Sequence, residues 1–314
     1  MIRYILQRIA GLAAVLFLVA TIVFVIVRIA PGDPAAIMLG PDANAADIAS
    51  LRQNLGLDAP RWKQYGMFLA QLASGDLGQS IFLNRPVATA LRDRAEPTLF
   101  LTLFTMVIAT VCAVPLGVLA AYRRHGLLDR CVTAFAMLAA SVPSFWLGLL
   151  LIQLIAAWLG WLPVSGYGEP GASLATRLSH LVLPALALSA GASAIILRST
   201  RASMLDVLND PYVRTARSKG MGEFRVVARH ALRNALIPII TVLGLTAASL
   251  ISGAVVTETV FSLPGVGNLV VSAVTRRDYP VIQGALLVVA AIYVLFNFAV
   301  DMLYLAVDPR VRYQ

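Results

Sequence analysis

Hydrophobic residues in this chain gather in six stretches that contain no Asp, Glu, Lys or Arg: residues 9–27, 98–122, a part of 131–168, 178–197, 234–257 and 279–300. Each is long enough to cross a hydrocarbon core of about 30 Å as a helix. The third stretch has 38 residues, nearly twice the length of one span. We predict one span there, followed by an interfacial segment with Trp158 and Trp161 at headgroup level. A seventh span is the alternative. The pattern predicts an all-α polytopic membrane protein with six transmembrane helices.

Charge sets the predicted orientation. Only 13% of the 314 residues are charged and 59% are hydrophobic, whereas soluble domains contain about 25% charged residues. With the N-terminus inside, the cytoplasmic segments hold 15 of the 25 basic residues, as the positive-inside rule requires. Both termini are therefore predicted to be cytoplasmic. A net charge of +9 can also indicate a nucleic-acid partner, but these basic residues cluster at membrane edges. We expect anionic membrane lipid and no nucleic acid.

The polar segments predict the organisation of the chain. Residues 1–30 form a retained transmembrane helix, and residues 31–96 form an extracytoplasmic loop. Short helices are expected there at 42–55, starting at Asn44, and at 60–73, with Trp62, Tyr65 and Phe68 on one face. This loop is either a docking platform for an extracytoplasmic partner or a cap on the bundle. The core covers 97–305, with a cytoplasmic loop at 198–236, and a tail follows at 306–314.

The cytoplasmic loop contains a predicted short, exposed helix at 210–220. Asp210 supplies a side-chain acceptor before Pro211, which suits the first helical position. Gly220 suits the left-handed end. We expect four apolar side chains to enter a groove on a partner, with three basic ones at its rim: Tyr212, Val213, Ala216 and Met221, then Arg214, Arg217 and Lys219. The next segment, 222–236, places Arg225, Arg229 and Arg233 on one face, toward acidic lipids, a partner subunit or both.

This loop resembles the coupling-loop signature of bacterial ABC importer permeases, most closely the dipeptide/oligopeptide/nickel type. The resemblance lies in Tyr-Val-Arg-Thr-Ala-Arg-Ser-Lys-Gly at 212–220 and His-Ala-Leu-Arg-Asn-Ala-Leu-Ile-Pro at 230–238. It extends to Ala-Pro-Gly-Asp-Pro at 30–34, Leu-Gly-Leu-Asp at 55–58, Gly-Asp-Leu-Gly at 75–78, Phe-Ser-Leu-Pro-Gly-Val-Gly at 261–267 and Asp-Tyr-Pro at 278–280. The general signature begins Glu-Ala-Ala, whereas this chain has Arg-Thr-Ala at 214–216, a departure that fits the peptide/nickel subgroup.

The resemblance implies the type I ABC importer permease fold in a bacterial inner membrane. It implies a second homologous permease, two ABC ATPase subunits that hold ATP and Mg²⁺, and an extracytoplasmic substrate-binding protein. It assigns the ATPase-coupling helix to Asp210, Tyr212, Arg214, Ala216, Arg217, Lys219, Gly220 and Met221. The turn at Pro264, Gly265 and Gly267 is expected to close an outer gate or to meet the binding protein. The implied cargo is a di- or oligopeptide, with glutathione, nickel chelates, opines and sugars as alternatives, and we expect a heterodimer of permeases.

The sequence offers little catalytic chemistry. It has no GxxxxGK[ST], HExxH or GxSxG motif, so we expect no catalytic residue, metal site or bound cofactor in this chain. An ion-coupled secondary transporter is the alternative function, and it predicts carboxylates in the middle of spans. Glu258 and Asp301 lie near span ends instead, where we expect interfacial, solvated or paired side chains. A third alternative is a polytopic membrane enzyme or assembly factor, which is disfavoured because the sequence contains no recognisable catalytic set.

Overall fold

The computed structural model describes residues 2–29, 34–40, 43–54 and 56–307. Thirteen α-helices cover most of these residues, two of them continued or followed by a π-helical segment. In chain order they are α1 (Ile2–Ile29), α2 (Pro34–Leu39), α3 (Ala45–Asn54), α4 (Arg61–Ala73), α5 (Val87–Tyr122), α6 (Leu127–Ser141), α7 (Ser144–Leu151), α8 (Leu174–Leu208), α9 (Pro211–Ser218), α10 (Glu223–Arg225), α11 (Leu232–Val260), α12 (Val266–Arg276) and α13 (Tyr279–Val307). No strand forms among the described residues; Gln79 and Pro86 make a single antiparallel bridge.

The chain divides into two units, and the first comprises residues 1–96 and 265–294. Within it α4 packs on α1, where the centroid of the Phe24 ring lies 5.1 Å from that of Tyr65 and 5.5 Å from that of Phe68. Both predicted loop helices are confirmed, and Asn44 caps α3 by accepting a hydrogen bond from the Asp47 amide at 2.8 Å. Trp62, on the same predicted face, is 76% exposed.

Asp278 organises the end of the same unit. It precedes α13, and its buried carboxylate accepts hydrogen bonds from the Ser80 hydroxyl at 2.5 Å, the Ile81 amide at 3.2 Å and the Phe82 amide at 3.3 Å. Three donors satisfy a carboxylate that burial alone would penalise. The segment before α5 is thereby fixed to the start of α13, although the two lie about two hundred residues apart in sequence.

The second unit comprises residues 97–264 and 295–314, and α8 lies at its centre. Buried apolar residues of α5, α6, α8 and α11 form its largest core. α5 approaches α8 at Gly117, where an added Cβ would lie 2.8 Å from Thr200 Cβ and 2.9 Å from the Leu197 carbonyl oxygen. A small residue at this position permits the close contact, as is typical of membrane helices.

The third hydrophobic stretch is a broken helix pair. α6 and α7, with the π-helical continuation of α7 to Trp158, are bent by 97° at Val142–Pro143. Pro143 has no amide hydrogen and restricts Val142 to an extended conformation (φ −88°, ψ 123°). The predicted single span is therefore interrupted at this point, and the bent pair is either one broken span or a re-entrant segment. Trp158 and Trp161 are exposed, as expected for an interfacial segment.

The other spans follow the predictions with longer ends. α5 begins at Val87 and α8 ends at Leu208. Both helices include charged residues at these ends, and the predicted spans were defined by the absence of Asp, Glu, Lys and Arg. Among the described residues four helices are long and apolar enough to cross a membrane, and the bent pair would make a fifth. Within α1, a shorter apolar segment is found among the residues whose side chains the structure describes, Ala10–Ile26. The count of six thus stays a prediction, as do the cytoplasmic termini.

Glu258 is fully buried near the end of α11, and the Thr98 hydroxyl donates a 2.6 Å hydrogen bond to its carboxylate. It is paired, as one of the three expectations held, and it is not solvated. The side chain of Asp301 lies outside the described part of the chain.

Candidate functional site

The N-terminal end of α9 is set by its backbone. Asp210 is extended (ψ 146°) and Pro211 occupies the first helical position. The Asp210 carbonyl accepts the amide of Val213 at 3.1 Å, but its side chain makes no capping hydrogen bond. The start of the helix is therefore confirmed, whereas the predicted side-chain cap is wrong. The helix is eight residues long, slightly shorter than expected.

The other end of α9 is a Schellman motif. Gly220 has φ +72°, its amide donates to the Arg217 carbonyl at 2.9 Å, and the Met221 amide donates to the Ala216 carbonyl at 3.3 Å. This pair of bonds satisfies carbonyls that the helix leaves open. The left-handed end predicted at Gly220 is confirmed.

One side of α9 is buried within the chain itself. Val213 and Ala216 pack against the buried Val226, and three partly buried residues surround them: Val207, Leu208 and Met221. We name this group the α9 core. Because Val213 is 0% and Ala216 is 7% exposed, their apolar surface is not available to a partner, and that part of the prediction is wrong. They make α9 rigid instead.

The opposite side of α9 is polar and exposed. Pro211, Arg214, Thr215 and Ser218 are exposed at helical spacing, and Lys219 extends this surface. Phe224 lies just beyond it and is 87% exposed. Sequence analysis missed Phe224, although an aromatic residue inside the charged run Gly-Glu-Phe-Arg at 222–225 is a signal of a contact surface. Arg225, Arg229 and Arg233 are also exposed.

Two side-chain contacts fasten α9 to the segment that follows it. The Asn234 amide nitrogen donates to the Tyr212 hydroxyl at 2.6 Å, and that hydroxyl donates to the His230 carbonyl at 3.3 Å. Arg217 Nε lies 2.9 Å from Glu223 Oε1, but this ion pair is solvent-exposed and contributes less than about 1 kcal/mol. Tyr212 therefore joins α9 to the first turn of α11.

An ion pair joins α6 to α8, and its basic residue lies ten residues before the start of α9. Arg201 on α8 binds Asp129 on α6 through Nε at 2.6 Å and Nη2 at 2.8 Å. The His125 amide donates to the same carboxylate at 3.0 Å. The Asp129 side chain is 6% exposed and that of Arg201 is 26% exposed. This bidentate geometry fixes the start of α6 to the end of α8.

The turn predicted at Pro264, Gly265 and Gly267 leads into α12. Gly265 is extended and precedes the helix, and Gly265 and Gly267 are both buried. Before it, Ser262 takes a left-handed conformation (φ +50°) and the Leu263 amide donates to the Glu258 carbonyl at 2.8 Å. A gating role for this turn stays a prediction. Among the described residues, no group of His, Cys, Asp and Glu could hold a metal ion.

Comparison with known proteins covers the whole chain. Residues 113–313 match the family model described as "Binding-protein-dependent transport system inner membrane component", and residues 1–102 match the model of its N-terminal region. The probable peptide ABC transporter permease protein y4tP of Sinorhizobium fredii is 43% identical over 310 residues, which is 99% of either chain. The glutathione transport system permease protein GsiC of Escherichia coli K12 is 43% identical over 314 residues, the full length of both.

A solved structure shares the fold. An inward-facing conformation of the MetNI methionine ABC transporter superimposes with a TM-score of 0.59 and 21% identity, covering 70% of this chain and 96% of that chain.

Proposed function

Because this chain belongs to the family of inner membrane components of binding-protein-dependent transport systems, we propose that it translocates a peptide-like solute when separate ATPase subunits move α9. It is an ABC importer permease of the peptide family, a multi-pass protein of the bacterial inner membrane with the type I all-α fold. The ion-coupled alternative finds no support among these relatives.

α9 is the observation that carries the coupling part of the proposal. Its N-terminal backbone, its Schellman motif, the α9 core and the Tyr212 hydroxyl all hold it rigid. A rigid element transmits displacement, whereas a loose loop would absorb it. Its exposed side is basic and polar and is bordered by Phe224. We infer that a groove with acidic groups and one apolar pocket on an ATPase subunit receives this surface.

The proposal also includes the subunits of the transporter and the solute that it carries. We infer six spans, cytoplasmic termini, a second permease of similar fold, two ATPase subunits that bind ATP and Mg²⁺, and an extracytoplasmic binding protein. The cargo is a short peptide or glutathione, in line with what the names of the two relatives say of those proteins. This chain supplies a pathway and a lever, and no covalent chemistry.

Purification and transport test the proposal together. The tagged chain is isolated from its native membranes in mild detergent, and mass spectrometry identifies the proteins that accompany it. We expect a second permease and Walker-A ATPases. The complex is then reconstituted with its binding protein, and uptake of labelled dipeptide and glutathione is measured with ATP and with an ionophore. Uptake that requires ATP and resists the ionophore supports the importer; uptake that follows an ion gradient without ATP contradicts it.

Replacing Gly220 by Val should uncouple the transporter. Gly220 has φ +72° and open space around its Cβ position, so the cost comes from the left-handed backbone and is about 1 kcal/mol. The chain should still insert, while α9 is displaced. We expect substrate-stimulated ATPase activity to fall at least fivefold. Gly222→Val is the matched control, because Gly222 also has an open Cβ position and has an ordinary φ of −60°. Normal stimulation in Gly220→Val would contradict the coupling role.

Replacing Tyr212 by Phe should weaken coupling without loosening the complex. The change removes only the hydroxyl that joins Asn234 to the His230 carbonyl, a loss of about 1 kcal/mol. We expect the ATPase subunits to co-purify normally while uptake per ATP hydrolysed falls two- to threefold. Asn234→Ala should have the same effect, and the double variant should be no worse than either single one. Tyr122→Phe serves as control, since Tyr122 has no hydrogen-bond partner among the described residues.

A further inference from the structure

A cavity of about 150 Å³ opens on the first unit, away from α9 in sequence. Its floor is apolar and buried, with Leu269, Ala273 and Val281, and its walls are the partly exposed Phe82 and Leu83. Arg94 of α5 and Arg276 of α12 complete the lining together with Ser272 and Asp278. We name it the Arg94–Arg276 cavity. Eight of its nine residues lie in segments that the predicted topology places on the extracytoplasmic side, and the ninth, Val281, lies at the outer end of the sixth predicted span.

The charges of this cavity are unbalanced. Its one carboxylate, on Asp278, already accepts three hydrogen bonds from the Ser80–Phe82 segment. Neither Arg94 nor Arg276 has a hydrogen-bond or ion-pair partner among the described residues. Two guanidinium groups beside an apolar floor therefore favour an anionic group attached to an aliphatic stem. Arginine suits carboxylates because its planar fork binds both oxygens.

The size of the cavity argues against a transported solute. Sites for small ligands usually measure about 300–1,000 Å³, so a volume of about 150 Å³ holds one side chain rather than a peptide. The polar part of its lining is Arg94, Ser272, Arg276 and Asp278. An apolar floor beside polar and charged groups is the arrangement of protein–protein contacts.

We propose that the Arg94–Arg276 cavity receives an acidic side chain of the extracytoplasmic substrate-binding protein. The carboxylate lies between the two guanidinium groups and its stem on Leu269, Ala273 and Val281. The lining of the cavity is held in place, because the Asp278 carboxylate accepts the Phe82 amide and so attaches this segment to the start of α13. The inference rests on the proposed importer function and extends it by naming one point of contact.

Photocrosslinking tests the contact in living cells. The photoreactive residue p-benzoylphenylalanine replaces Leu83, which lines the cavity without contributing charge, and the crosslinked peptide is identified by mass spectrometry. Three backgrounds are compared: the natural residues, Arg94→Gln with Arg276→Gln, and Arg92→Gln. Arg92 is exposed on the same helix and does not line the cavity. We expect crosslinking to the binding protein to fall at least fivefold in the double variant and less than twofold in Arg92→Gln.

A charge exchange identifies the acidic partner. The captured protein must stimulate the ATPase activity of the purified transporter, and the crosslinked peptide must contain Asp or Glu. Replacing that residue by Arg should weaken binding about tenfold, and Arg276→Glu should restore most of it. Crosslinks to lipid alone, a peptide without an acidic residue, or equal crosslinking in all backgrounds would overturn the proposal. Recovery of the ATPase subunits in the same preparation separates this failure from failure of the importer function.

Discussion

Replacing Asp129 by Asn will destabilise the chain by about 3 kcal/mol, the low end of the range for breaking a buried ion pair. The variant leaves the Arg201 guanidinium without its counter-charge, although a quarter of that side chain still reaches solvent. It also weakens the bond from the His125 amide. The start of α6 should then separate from α8. Unfolding of the purified chain by SDS, followed by tryptophan fluorescence, measures the free-energy difference.

The exposed pair of Arg85 with Asp93 is a matched comparison. Its atoms approach to 2.8 Å, nearly as close as those of Arg201 with Asp129, yet both side chains are substantially exposed. Asp93→Asn should therefore cost less than about 1 kcal/mol. Combining Asp129→Asn with Arg201→Met should recover part of the loss, because it removes the unpaired charge. Equal costs for the two single variants would show that burial does not decide the strength of these pairs.

Replacing Gly117 by Leu will cost about 3 kcal/mol, the upper end of the range for overpacking. Its Cβ would lie 2.9 Å from the Leu197 carbonyl oxygen, and a backbone atom of a central helix cannot move aside as a side chain can. α5 and α8 must separate along their contact. We expect the variant to reach the membrane in reduced amount and to unfold at lower SDS concentration.

Gly191 on α8 provides the control for Gly117. No atom lies within 4 Å of the position its Cβ would occupy, so Gly191→Leu should change stability by less than about 1 kcal/mol and can gain from better helix propensity. If both leucine variants proved equally damaging, the close contact of α5 with α8 would not be the cause.

Local structure could be predicted from the sequence where a residue type strongly favours one position, such as a helix cap or a left-handed turn. Asn44, Pro211 and Gly220 each fixed a helix end, because capping and left-handed conformations depend on the residues nearest the end. Pro143 was the one sequence feature that indicated a break between α6 and α7. It was not decisive, because many membrane helices tolerate a proline within an apolar stretch. Only the packing of α6 and α7 decides whether it kinks a helix or breaks it.

Contacts between distant residues could not be predicted. The Asp129–Arg201 pair joins residues 72 apart and the Asp278 contacts join residues up to 198 apart, and nothing in the local pattern distinguishes these acids from solvent-exposed ones. Val213 and Ala216 show the same limit from the apolar side. A helix with one apolar stripe can turn it toward a partner or toward its own chain, and Val226, ten residues after Ala216, supplied the inner surface.

The α9 core and the Tyr212 hydroxyl together attach the eight residues of α9 to two long helices. Val207 and Leu208 belong to the end of α8, and Tyr212 reaches the first turn of α11. α8 has 35 residues, which at 1.5 Å per residue makes a rod of about 50 Å. Any displacement of α9 therefore acts at the end of that rod and at the start of α11 together. In mechanical terms α9 has no independent connection to the rest of the chain, so under the proposed function a displacement of α9 is expected to move α8 and α11 together.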